Sequence, residues 1–168
     1  MSEGEQFKLR STITGHGQNG EFIPRDHYLN LNGGSQDFVY SVWKECSRNP
    51  VYPQGGTWTF DRAGWCPGMA TDLHEFDITD QVTAGGNVTV DYGVNGASLT
   101  EANYLVSNQL VTYGGINRQV DASLEAILRP SNRVEYERIN PACDNPIVLI
   151  RNLGAKPLTS LKITYGLV

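Results

Sequence analysis

Apolar residues in this chain recur at every second position and almost nowhere at the three-to-four spacing of a helix. Phe7-Lys8-Leu9-Arg10-Ser11-Thr12-Ile13 alternates in this way. A period of two puts alternate side chains on one face, as a strand with one buried face requires. His27-Tyr28-Leu29-Asn30-Leu31 alternates again and ends at Asn32-Gly33-Gly34, a hairpin signal. Further strands are predicted at 37–43, 76–78, 87–92 and 104–113, with turn residues between them. Eighteen glycines and eight prolines make up about 15% of the 168 residues, above a usual share of about 12%. The pattern predicts an all-β, turn-rich fold.

Gly114-Gly115 marks a boundary. Beyond it, 121–128 reads as a strand or a short helix, since its periodicity does not decide. Ile147–Asn152 reads as a buried strand and Leu158–Tyr165 as another, with a turn cluster over Pro141–Pro146. About three strands in this tail are too few for a complete sandwich of about 100 residues. Residues 114–168 are therefore read as the first part of an immunoglobulin-like module, or as strands added to the first domain.

The net charge of −5 argues against a nucleic-acid binder, which needs a basic face. No stretch approaches the 18 apolar residues of a membrane span. Charged residues are 18% and aromatic residues 10%, which argues against disorder. Met1–Gln6 lacks the basic start and apolar run of a signal peptide.

The residues between Cys46 and Asp72 form a long irregular stretch rich in Pro and Gly. A loop of this length is uncommon unless tied down or functional. Within it, Asp61-Arg62-Ala63-Gly64-Trp65-Cys66-Pro67-Gly68-Met69 is the most informative run. Arg62 offers a planar fork able to hold a carboxylate, and Trp65 offers a flat face for a sugar ring or for packing. The plainer reading is a stapled structural loop, with Arg62 paired to Asp61 or to a strand carbonyl. After the first strand, Gly15-His16-Gly17 allows close backbone approach to a ligand or a tight turn. Glu21 beside Phe22 suits acid/base chemistry if it is partly desolvated; a solvated loop glutamate is the plainer reading. His16, His27 and His74 have no metal-ligand spacing, although with Met69 they could be assembled into a copper site on paper.

Several of these residues carry a family resemblance. The segment 9–17, Glu21-Phe22, Cys46, and 58–70 with Asp61–Ala70 at its heart resemble the C-terminal domain of the peptide:N-glycosidase F family. The resemblance covers about residues 7–113. It implies an eight-stranded antiparallel jelly-roll sandwich over 1–113; residues 114–168 lie outside it and keep the reading of a partial immunoglobulin-like segment. It also implies a bacterial secreted, cell-surface or periplasmic amidase that cleaves the bond between asparagine and the first N-acetylglucosamine of an N-linked glycan. No cofactor or metal is implied, and the partners are an N-linked glycoprotein and an upstream jelly roll.

By the same resemblance Glu21 is the second domain's catalytic glutamate, and Arg62 is the arginine that orients it. Trp65 lines the cleft, with His16, Asp61 and Trp58 taken as substrate-facing. Cys46 and Cys66 fall on a family disulfide, which places the protein in an oxidising compartment and leaves Cys143 to a partner elsewhere or free. An export signal is then expected upstream, and with it a longer natural protein. The family's water-activating aspartate belongs to the upstream jelly roll, so the isolated chain is expected to be inactive. Two other readings stand beside this one: a non-catalytic glycan-binding or structural module, and a copper-dependent monooxygenase relative that shares the fold.

Overall fold

Strand β1 (Gln6–His16) buries its odd-numbered residues, Phe7, Leu9, Ser11, Ile13 and Gly15, and leaves the even-numbered ones half-buried. The period-two pattern of the sequence is thus the pattern of burial. The computed structural model describes residues 5–83, 85–96, 100–133, 136 and 145–166. After β1 come a single helical turn α1 (Gln18–Glu21), then β2 (Asp26–Leu31), β3 (Phe38–Ser41), β4 (Trp43–Lys44), β5 (Arg62–Ala63) and β6 (His74–Asp77). A 3-10 turn at Thr79–Gln81 leads to β7 (Val90–Val94), β8 (Asn103–Tyr113), β9 (Ala122–Arg129) and β10 (Ile147–Asn152).

The sheets are antiparallel. β1 lies between β6 and β8, and β2 lies between β3 and β7. β1 and β8 pair along their whole length, from Gln6 opposite Tyr113 to His16 opposite Asn103. The two three-stranded sheets face each other across Phe7, Leu9, Leu29, Leu31 and Ile78, with Phe38, Phe76, Val90 and Tyr92 packed around them. The alternation predicts the all-β character, and the sandwich is the one that the family resemblance implies. Two short sheets complete it: β4 with β5, and β9 with β10. Among the described residues no helix is long and apolar enough to cross a membrane.

Several elements differ from the sequence reading. The strand expected over 37–43 breaks at buried Val42 into β3 and β4, because Val42 gives its carbonyl to the Gly64 N–H at 2.7 Å. The strand expected over 87–92 runs instead from Val90 to Val94, in register with β2. The undecided segment 121–128 is strand β9. No strand forms over Leu158–Tyr165. Leu161, Ile163 and Tyr165 are exposed there, and alternation makes a strand only where a neighbour accepts its hydrogen bonds. Cys143 and Pro141–Asp144 lie outside the described residues.

One end of the sandwich is polar. His27 is fully buried and shares a 2.7 Å hydrogen bond between Nδ1 and the Tyr92 hydroxyl. Tyr104 meets it edge-on at 4.8 Å, and Tyr40 bonds Ser11 at 2.8 Å. Burial lowers the His27 pKa from 6.5 to about 4, with Arg25 and His74 adding to the effect and Asp26 opposing it. The unfolded chain therefore binds more protons than the folded one between these values. Stability falls as pH drops from about 6.5 towards 4, by about 3 kcal/mol for this one group. His74, lowered mainly by burial, acts in the same direction. Urea unfolding across this pH range is expected to show the loss, and His27→Phe to flatten most of it; an unchanged slope in the variant would reject the assignment.

Candidate active site

The site is built where α1 meets the loop between β4 and β6. Gly17, at φ 74°, opens the turn, and its carbonyl accepts the Glu21 N–H at 2.8 Å. The turn packs so tightly that a Cβ on Gly15 would strike the Gly20 carbonyl and lie 2.7 Å from Ala63 Cβ. Of the two uses open to Gly15, a ligand's approach or a tight turn, the contacts match close packing of the chain on itself. Gly64 plays the matching role from the other side: it sits at φ 80°, and a Cβ there would run into the Ile13 carbonyl.

The long loop is ordered by contacts distributed along it. Cys46 and Cys66 form a disulfide, both residues buried, across a separation of 20. Asp61 Oδ1 accepts the Cys46 N–H at 3.0 Å, so this carboxylate clamps the loop. Buried Asn49 donates to the Pro67 carbonyl at 2.6 Å and accepts the Val51 N–H at 2.9 Å. Gln54 donates to the Val51 and Pro67 carbonyls. Neither Asn49 nor Gln54 stands out in the sequence, because an amide that satisfies loop carbonyls carries no spacing signature.

Arg62 lies at the centre and is 3% exposed. Its Nη1 donates to Glu21 Oε1 at 2.7 Å, its Nε to the Phe60 carbonyl at 3.1 Å, and its Nη2 to the Thr57 carbonyl. It pairs with neither Asp61 nor a strand carbonyl, as the plainer reading had it; its partners are Glu21 and two loop carbonyls. The guanidinium lies over the rings of Trp65 at 4.9 Å and Phe22 at 5.2 Å. The Glu21 side chain keeps 16% of its surface exposed. Among the described residues its Oε2 has no partner, so one oxygen is fixed and the other is available.

The remaining candidates fall around this pair. Trp65 donates its indole N–H to the Gly15 carbonyl at 3.1 Å and stacks on His16 at 5.9 Å. His16 Nε2 bonds Thr14 Oγ1 at 2.8 Å. Trp58 packs edge-on against Tyr52 at 5.6 Å, farther along the loop. The three histidines are divided: His16 stands in the site, whereas His27 and His74 pack against Tyr40 inside the sandwich. Among the described residues no three His, Cys, Asp or Glu side chains gather to hold a metal ion.

Removing the staple by a Cys46→Ala, Cys66→Ala double substitution is expected to cost about 3 kcal/mol, the chain-entropy value for a loop of this size. Denaturant unfolding of the double variant checks it; a loss below about 1 kcal/mol would mean that the hydrogen bonds alone order the loop.

Comparison with known proteins sets this geometry in context. The family profile described as "Peptide-N-glycosidase F, C terminal" matches residues 2–111. The curated peptide-N(4)-(N-acetyl-beta-D-glucosaminyl)asparagine amidase F of Elizabethkingia miricola is 29% identical over 123 residues, which cover 64% of this chain and 34% of that protein. The solved structure of PNGase F, described as a glycosylasparaginase from Flavobacterium meningosepticum, superposes with a TM-score of 0.57 at 28% identity. That match covers 66% of this chain and 40% of the other. A structure of recombinant peptide:N-glycanase F gives the same score and identity, covering 66% and 39%. The chain spans about a third of the length of the curated relative it matches.

Proposed function

We propose that this chain, which belongs to the family of peptide-N-glycosidase F C-terminal domains, is the second domain of an amidase that removes N-linked glycans from asparagine. The observation that carries the reading is the half-engaged carboxylate of Glu21, held through Oε1 by buried Arg62 and open at Oε2. In amide hydrolysis water attacks the asparagine side-chain carbonyl, and the amine on the sugar leaves with a proton. Glu21 contributes by accepting a hydrogen bond from the first sugar and assisting that proton's movement. Arg62 fixes the carboxylate through a charge-assisted bond, so that no reorientation is needed when substrate arrives. His16 and Trp65 support the wall of the same site, and Asp61 and Trp58 belong to the loop that frames it.

The carboxylate that activates water comes, on this reading, from an upstream jelly roll packed against residues 1–113. The isolated 168-residue chain is then inactive. Residues 114–168 form a separate, partial immunoglobulin-like segment; this is supported by β9 and β10 pairing with each other alone among the described strands. The disulfide supports a secreted or cell-surface protein. The modular arrangement also favours a second reading, a non-catalytic glycan-binding module.

The test is deglycosylation of a denatured N-glycoprotein by the longest native chain, beside Glu21→Ala. Glycan release is expected from the native chain, with a loss of at least about 100-fold in the variant, the scale of a general acid/base group. The 168-residue chain alone is expected to release none. No release by the native chain would overturn the amidase reading in favour of the binding module.

A further inference from the structure

The site needs a surface for the sugar ring, and the aromatic residues around it differ in how far they are already engaged. Trp65 carries His16 and the Arg62 guanidinium against its ring and spends its N–H on Gly15. Trp58 packs with Tyr52. Phe60 differs from both: it is 57% exposed and touches Phe22, the neighbour of Glu21, edge-on at 6.4 Å. Its backbone is pinned, since its carbonyl accepts from Arg62 Nε at 3.1 Å and its N–H donates to the Thr57 carbonyl at 3.0 Å. The arginine that fixes the Glu21 carboxylate therefore also fixes the backbone that carries this ring. A ring on a mobile backbone loses more freedom on binding than one whose backbone is already held.

We propose that Phe60 is the sugar-stacking residue of the site, presenting its ring to the apolar face of the first N-acetylglucosamine while Glu21 accepts a hydrogen bond from the same sugar. The proposal rests on the Glu21 reading above. One apolar surface beside one fixed acceptor is the composition of a small-ligand site. A pyranose matches it, having C–H groups on its faces and hydroxyl and amide donors around its rim.

Titration of the 168-residue chain with N,N′-diacetylchitobiose, followed by NMR shifts of the Trp65 indole and neighbouring amides, tests it. Wild type is expected to bind. Phe60→Ala is expected to weaken binding about tenfold, equivalent to roughly 1.4 kcal/mol, and Phe60→Trp to retain it, because a larger ring keeps the stacking face. Unchanged affinity in Phe60→Ala, with binding still lost in Glu21→Gln, overturns the role of Phe60 and leaves that of Glu21. Equal weakening in Phe60→Ala and Phe60→Trp makes the ring a packing element and also overturns the proposal. No shift in wild type, or shifts with an unglycosylated asparagine peptide alone, overturns both this proposal and the sugar-binding role of Glu21.

Discussion

A guanidinium removed from water must have its donors satisfied, and Arg62 is 3% exposed. It has no apolar way of being buried, so its position dictates where acceptors must be. Glu21 supplies one from α1, and Phe60 and Thr57 supply the others from the loop. Two segments 41 residues apart in sequence are joined at this one side chain. Withdrawing it would leave a mostly buried carboxylate and two loop carbonyls without their donor, a heavier loss than the bond itself. The short strand β5 that carries Arg62 exists to hold that position, with Lys44 of β4 opposite it.

The sandwich beneath was legible in the sequence, because β1 and β2 bury one face each and so show their period. Elements that are not periodic were not legible. β5 has two residues and α1 four, and both are fixed by contacts distant in sequence. Leu158–Tyr165 shows the opposite failure, an alternating pattern with no strand to pair with among the described residues. Alternation reports which residues are suited to a sheet, and only a neighbouring strand turns that into one.

The candidate site was less legible than the fold, for a related reason. Residue chemistry alone left Arg62 with Asp61 or a carbonyl as its partner. The family resemblance, not spacing, pointed across the chain to Glu21. The structure adds contacts that neither indicated: Asp61 accepts from Cys46, and half-buried Trp65 meets His16, Arg62 and Gly15. A side chain of the right type also helps to build the site, and only its contacts reveal that share of its role.

The loop reverses the usual arrangement of a folded segment. Arg62 and Asn49 of the loop are buried, while Tyr52 and Phe60 are exposed. Hydrophobic burial is therefore only part of what orders it. The disulfide lowers the entropy of the unfolded loop, and directional hydrogen bonds from Arg62, Asn49 and Gln54 select one conformation from those that remain. Order obtained this way leaves the rings of Tyr52 and Phe60 outside. A loop held by its aromatic residues would have to bury them and would lose their faces for binding. A loop held by a staple and a buried arginine keeps those faces, and it ties their position to the carboxylate beside them.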